Sequence, residues 1–528
     1  MNTGGGSRFK WALVHKSDLL LLVQVLLTDL QSPLPLQEMQ VTVAMISYIM
    51  SKTEFTKVLA QKQDLLSKIA GLTLKIAKRE NDKKIYISCF WSFEMDRYHV
   101  GVFSQYSDQL VDTILAALKD QQSSIVIYES LRVLAVMVVN NNLTQAVEKS
   151  VDFYHEVFPR LFHPVDKIRK AALKITQDLL SYSESVVVLN NVVKKFVPDF
   201  KKSYCQVLNT FVSSNNEEGL MIWQVCIQMF DSLLHSGTSL INVLLATVEK
   251  GFKSNDQKIR EQAFNSWKCL IRNFALDPSV LTSTKRLKLL IAPFKANNNK
   301  NISITKQKLE AWILLVQLLG DHSEQHFDLV IAPLLHFCFH RSKVATVSPS
   351  IVGLADKPNA LTSNGSVSTA EVFEKVLADA IYVFHQIVAP NPAMTYLSHH
   401  RKSLEELKPI ITQSVYNKHY ASVHNNIPGL LILMSHVKVD TTALVIHLMT
   451  NLVKLLNRYL QDNSVRDGTE VLRGFFSTLS SCAELCTAGC ALSVQLLHVL
   501  SAAVCGDTAI SASVLSSRRY QVGNRQGI

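Results

Sequence analysis

Apolar residues along this chain recur every three or four positions, and alternation of period two is almost absent. In the clearest stretch Ile259, Ala263, Trp267, Leu270, Ile271 and Phe274 follow at spacings of four, four, three, one and three, which is one face of a helix. One phrase opens three such stretches: Asp82-Lys83-Lys84-Ile85-Tyr86, Asp166-Lys167-Ile168-Arg169-Lys170-Ala171-Ala172 and Asp256-Gln257-Lys258-Ile259-Arg260-Glu261-Gln262-Ala263. An Asp just ahead of a helix can accept hydrogen bonds from the orphan N–H groups of the first turn. The Ile and the small residue four positions on, Ala172 or Ala263, then face the same neighbour. The three isoleucines are 83 and 91 residues apart, about twice the 40 to 47 residue period of HEAT or armadillo units. Val41, Ile125, Leu220 and Ile302 open further apolar runs, giving a ladder near 41, 85, 125, 168, 220, 259 and 302. Its irregular step, near 220, predicts a longer loop. A helix pair cannot bury its own apolar face, so stacked pairs must share a continuous core. The predicted fold is all-α, an α-solenoid of HEAT/armadillo-like repeats.

The regular array runs over residues 1–340. Residues 341–370 turn Ser, Thr, Asn and Gly rich and read as a flexible linker or long loop. A second, less regular helical block follows over 371–512, where Pro390-Asn391-Pro392 and Pro409 predict shorter helices, and 513–528 reads as a disordered tail. At 528 residues the chain is too long for one compact core, a limit that a solenoid escapes. Hydrophobic residues at 48% with 18 Gly and 14 Pro suit helix packed on helix and leave little room for Gly-rich β architecture.

Nine scattered cysteines, an odd count, favour a reducing compartment, nucleus or cytoplasm. The apolar stretch from Leu19 to Leu27 lacks a small-residue cleavage site and reads as a repeat helix instead of a signal peptide. Leu485 to Gly506 has no charged residue over 22 positions, yet its Ser, Thr, Gln495 and His498 suit a buried helix better than a membrane segment.

No phosphate-binding Gly loop, dinucleotide fingerprint, zinc-protease helix or nucleophile elbow is present, so neither an enzyme nor a cofactor is expected. Cys482, Cys486 and Cys490 stand at i, i+4 and i+8, a spacing that lets one metal take two thiols but hardly three. His322 and His326 are four apart and could share a helix face, but lack a third ligand nearby, and His399-His400-Arg401-Lys402 reads as a solvated loop. No metal is expected.

Charge says more. The chain holds 54 basic and 43 acidic residues, a net +11. Twelve of the basic residues fall between 253 and 310 (Lys253, Lys258, Arg260, Lys268, Arg272, Lys285, Arg286, Lys288, Lys295, Lys300, Lys306 and Lys308), against four acidic ones. Lys194, Lys195, Lys201 and Lys202 form a second cluster around Asp199. Adjacent repeats with a shared basic surface can follow a DNA backbone, indifferent to sequence, or hold a phosphorylated peptide. Equally, lysines on a solenoid surface keep it soluble, and helix phase decides between the two.

The runs Leu233-Leu234-His235 to Ile241-Asn242, Gly251-Phe252, Ala263-Phe264 through Trp267-Lys268, Leu270-Ile271 and Asn273-Phe274-Ala275-Leu276 to Pro278, Lys285-Arg286-Leu287-Lys288-Leu289-Leu290 to Pro293, and Thr305-Lys306 through Leu309-Glu310 to Trp312 resemble the amino-terminal repeats of the telomere-associated Rap-interacting factor family. The resemblance covers about 100 residues closely, from Asp231 to Leu335. It implies a nuclear, chromatin-bound scaffold without catalysis, at telomeres, in replication timing and in double-strand-break repair. The partners it implies are DNA, phosphorylated repair proteins and a protein phosphatase. The phosphatase-docking pattern of a basic residue, Val or Ile, any residue, then Phe or Trp has only a near match, Arg8-Phe9-Lys10-Trp11. The resemblance therefore extends to the repeat portion alone, as for a truncated chain. A cytoplasmic carrier or trafficking solenoid, or a regulatory subunit binding protein cargo, shares the same architecture, and self-association is left open.

Overall fold

The computed structural model describes residues 16–93, 100–120, 123–139, 155–181, 186–236, 239–295, 301–339, 369–389, 407–427, 430 and 442–462. Every regular element among the described residues is helical, and the chain forms two compact units, Met1–Lys250 and Gly251–Ile528.

In the first unit α1 (Lys16–Gln31), α2 (Leu36–Met50), α3 (Gln63–Glu80), α4 (Lys83–Ser92), α5 (Val100–Asp120), α6 (Ser124–Val139), α7 (Asp166–Ser181), α8 (Val186–Asp199), α9 (Cys205–Ser213) and α10 (Glu217–Phe230) follow one another. A front row forms where α2 packs on α4, α4 on α6, α6 on α7 and α7 on α10, and α1, α3 and α5 pack in sequence as a second row. Val41, Ile85, Ile125, Ile168 and Leu220 fall one on each front-row helix, so the ladder read from the sequence is this row. Asp82 caps α4 as expected, accepting from the N–H of Lys84 at 2.9 Å and of Ile85 at 3.1 Å.

Asp166 does otherwise. Helix α7 starts one residue earlier than the phrase suggests: the Val165 carbonyl takes the N–H of Ile168 and of Arg169. Asp166 therefore lies inside the first turn and pairs with Arg169 at 3.0 Å and Lys170 at 2.9 Å. Arg169, 6% exposed, also donates to the carbonyls of His163 (3.0 Å) and Pro164 (2.9 Å) and reaches Glu218 of α10 at 3.1 Å. Removing one member of such a buried pair leaves an uncompensated charge, at about 3–5 kcal/mol.

The long step before Leu220 is taken up by helix more than by loop. Pro198 sits inside α8, where its missing N–H breaks the ladder to the carbonyl four residues back. A π turn, Phe200–Tyr204, then carries the chain into α9. Tyr204 stacks on Phe162 at 4.8 Å and on Phe196 at 5.4 Å, while Phe200 meets Phe230 at 5.0 Å, so the irregular turn is held by rings.

Helix α11 (Ser239–Lys253) ends at the second unit, which holds α12 (Gln257–Ala275), α13 (Thr284–Lys295), α14 (Ile302–Leu319), α15 (Ala332–Phe339), α16 (Thr369–Val388) and α17 (Thr442–Asp462). There α12 packs on α14, α14 on α16 and α16 on α17. Asp256 caps α12 by accepting from Lys258 N–H at 2.8 Å, and Asn301 caps α14 through Ser303 N–H at 2.8 Å. The later block holds helices of 20 and 21 residues, α16 and α17, beside the short turns Gln413–Lys418 and Tyr420–His424. Pro409 lies in the irregular segment just ahead of the first of these turns.

One device repeats through the array and was not read from the sequence. Trp223, Trp267 and Trp312, spaced by 44 and 45 residues, are all buried. Each donates its indole N–H to a carbonyl of the following helical segment: Leu244 at 2.7 Å, Leu290 at 2.9 Å and Val330 at 3.1 Å. A large ring with one satisfied donor fixes how each first helix seats on the second.

Among the described residues no helix is long and apolar enough to cross a membrane. Residues 1–15 with Arg8-Phe9-Lys10-Trp11, 340–368, Pro390-Asn391-Pro392, His399 and His400, Cys482, Cys486 and Cys490, the run from Leu485 to Gly506, and the tail lie outside the described residues.

Candidate nucleic-acid interface

Helix α13 buries Leu287, Leu290, Ile291 and Phe294 and exposes Lys285, Lys288, Ala292 and Lys295. At 100° per residue the exposed four fall within an arc of about 80°, and at 1.5 Å per residue the three lysines span about 15 Å. The helix has no acidic residue, and none of the three forms an ion pair among the described residues. Arg286 is spent differently: its guanidinium lies over the Phe274 ring at 4.8 Å, half-buried.

Helix α12 presents another stripe, Lys258, Glu261, Asn265, Lys268 and Arg272, along its solvent side. Here the charge is largely answered. Lys268 donates to Glu310 of α14 at 2.5 Å, to Gln307 at 3.1 Å and to Asn265 at 3.3 Å, and Lys306 lies 3.8 Å from the same Glu310. Arg260 turns back to the Ser254 carbonyl at 2.9 Å. Lys308 is 1% exposed, with its ammonium 5.6 Å from the Phe264 ring centre, and burial pushes its pKa down to about 8. Lys253 is exposed at the end of α11, and Lys300 lies outside the described residues.

Trp267 joins α12 to α13, and Phe294 stacked on Trp312 at 5.1 Å joins α13 to α14. The three helices thus bury the sides that face one another, while Lys285, Lys288 and Lys295 of α13 stay exposed. The basic residues expected to share one surface differ in state: those of the α13 row stand exposed, Lys268 is paired with Glu310, Arg260 is turned to a backbone carbonyl and Lys308 is buried.

In the first unit Lys194, Lys195 and Lys202 are exposed and Lys201 half-buried along α8 and its π turn, with Asp199 exposed among them. Tyr204 next to them has its phenol pKa raised, first by burial and then by the Asp199 charge. This cluster carries its own counter-charge, as the α13 row does not. His322 is exposed and His326 half-buried, the latter with its pKa lowered by burial and then by His322. No three His, Cys, Asp or Glu side chains gather around a common point among the described residues.

Helical pairs in register, tryptophan-locked and lysine-edged, define the class as an α-solenoid of HEAT-like repeats. The family described as Rap1-interacting factor 1 N terminal matches residues 12–330, and the chain belongs to it. It is 27% identical over 308 residues to the telomere-associated protein RIF1 of Gallus gallus, covering 57% of this chain and 13% of that protein. Against the Homo sapiens RIF1 it is 29% identical over 281 residues, covering 52% of this chain and 11% of the other. The chain therefore spans a small part of the length of these relatives. A crystal structure of the Rif1 N-terminal domain from Saccharomyces cerevisiae in complex with DNA superposes with a TM-score of 0.55 at 12% identity, covering 98% of this chain and 52% of that one. That likeness supports the fold.

Proposed function

We propose that this chain is a non-catalytic scaffold on chromatin, nuclear and telomere-associated, that holds DNA by its phosphate backbone through the lysine row of α13. The observation that carries this reading is Lys285, Lys288 and Lys295 in one exposed row with no acidic residue on their helix. Three ammonium groups over about 15 Å can track successive phosphates of one strand and read no base. Support comes from the yeast domain solved with DNA and from relatives named for the telomere. Roles in replication timing and double-strand-break repair, with phosphorylated repair proteins and a protein phosphatase as partners, extend the proposal from the family resemblance.

The test is fluorescence anisotropy of a labelled duplex with the full chain, titrated across salt, beside the Lys285→Glu, Lys288→Glu, Lys295→Glu variant. Affinity should fall steeply with salt for the native chain, and the variant should lose about three phosphate contacts from the slope. Binding that ignores both salt and the charge reversal would make the row a solubilising face and shift the reading to a carrier of protein cargo.

A further inference from the structure

In the first unit, the front-row helix α2 carries an apolar stripe at its surface: Val41 is 59% exposed, Met45 43% and Tyr48 40%. These residues stand at i, i+4 and i+7, so they form one ridge. Between α2 and α4 lies a shallow groove of about 330 Å³ lined by Gln40, Val41, Ala44, Lys84, Ile87 and Ser88. Apolar side chains gathered on an exposed ridge beside a groove mark a protein contact, since scattered exposure alone would not align them on one helix face.

The charges around the groove say what kind of contact. Lys83 and Lys84 are exposed at the head of α4, and neither forms an ion pair among the described residues. Lys52 lies over the Tyr48 ring at 4.7 Å at the far end. Asp82 is engaged by Gln40 at 3.1 Å and by the N–H groups it caps. The head of α2 is also open: its N-cap is Pro35, which makes no side-chain cap, and a helix N-terminus favours negative charge.

We infer that the α2–α4 groove binds an amphipathic helix of a partner protein, with apolar anchors on Val41, Met45 and Ile87 and acidic residues against Lys83 and Lys84. Three apolar side chains at i, i+4 and i+7 of the incoming helix match the ridge, which is the helix-in-groove mode of recognition. The lysines select an acidic flank and speed encounter. This contact is independent of the DNA reading, because it uses neither α12 nor α13.

The probe is a fluorescein-labelled helical peptide of about 16 residues carrying Leu at i, i+4 and i+7 with Glu on its flanks, and a twin with Lys in place of Glu. The full chain should bind the Glu peptide and discriminate against its twin by about tenfold or more. Val41→Asp should weaken the Glu peptide at least about tenfold, because the anchor loses its apolar seat. Lys83→Glu with Lys84→Glu should reverse the preference between the two peptides. Val41 and both lysines are exposed, so these variants keep the native melting temperature, checked by circular dichroism. Equal binding of the two peptides, or binding unaffected by Val41→Asp, overturns the inference. So does a concentration-dependent dimer in sedimentation that Val41→Asp abolishes, which would make the occupant a second copy of the chain.

Discussion

Helices α12 and α13 lie next to each other in sequence, carry four basic residues each and share one core, yet their charges end in different states. On α13 three lysines stand in the open in a row. On α12 Lys268 is held by Glu310, and Arg260 is turned to a backbone carbonyl. The difference comes from what lies across the gap. Helix α12 packs on α14, which brings Glu310 to the α12 solvent stripe, and the exposed side of α13 meets no acid among the described residues. A count of basic residues along a chain is therefore a poor measure of a basic surface. What matters is which of them neighbouring helices have already answered.

The largest expected effect removes what seats the two helices on each other. Trp267→Ala deletes the ring that locks α12 to α13 and should cost about 3–5 kcal/mol, read as a shift in the urea midpoint at unchanged slope. Loss of less than about 1 kcal/mol would mean that the ladder is not what holds the pair.

Next comes the charge reversal itself. Lys285→Glu, Lys288→Glu, Lys295→Glu should weaken duplex binding about 100-fold at low salt while stability stays within about 0.5 kcal/mol. Lys258→Glu with Arg272→Glu on α12 should weaken it less than about fivefold. Equal losses from the two variants would break the comparison, because DNA would then touch α12 as well as α13.

A smaller effect is expected from Glu310→Gln, which leaves Lys268 with neutral partners only. We expect about 1 kcal/mol of lost stability and little change in DNA affinity, measured by the same unfolding and anisotropy experiments. A marked gain in affinity would show that Glu310 was restraining the α12 face from phosphate.

The smallest effect is a slope with pH. Burial holds Lys308 near 8 in the folded chain, while the unfolded chain returns it to the ordinary lysine range. Between those values the unfolded chain binds the proton and the folded chain does not, so this group makes stability rise as pH rises through the window. Below about 8 both states are protonated and the burial penalty on the ammonium is fully felt. Lys308→Met should stabilise the chain at pH 7 and flatten the rise between pH 8 and pH 10 in thermal melts; an unchanged rise would place its source elsewhere.

Much of the architecture is legible in the sequence. Helical periodicity, the ladder of apolar runs and the caps at Asp82 and Asp256 all follow from local chemistry, because a helix period and an N-cap involve residues within a few positions of each other. The cap expected at Asp166 failed where a one-residue shift in the helix start placed it beside Arg169 and Lys170. Trp223, Trp267 and Trp312 carried a signal that was available, a spacing of 44 and 45 residues, but a ring's role as a lock shows only when its partner carbonyl is in place.

The sequence by itself determined that this chain is helical, repeating and of net positive charge, since those properties depend on composition and short-range order. Tertiary structure alone decided that Lys285, Lys288 and Lys295 face water, that Lys308 does not, that Lys268 is paired, and that Val41 stands exposed on an apolar ridge. The physical reason is phase. A helix fixes which residues share a face, but only packing against other helices fixes which face is turned to the core, and one amphipathic helix can answer that question differently wherever its neighbours differ.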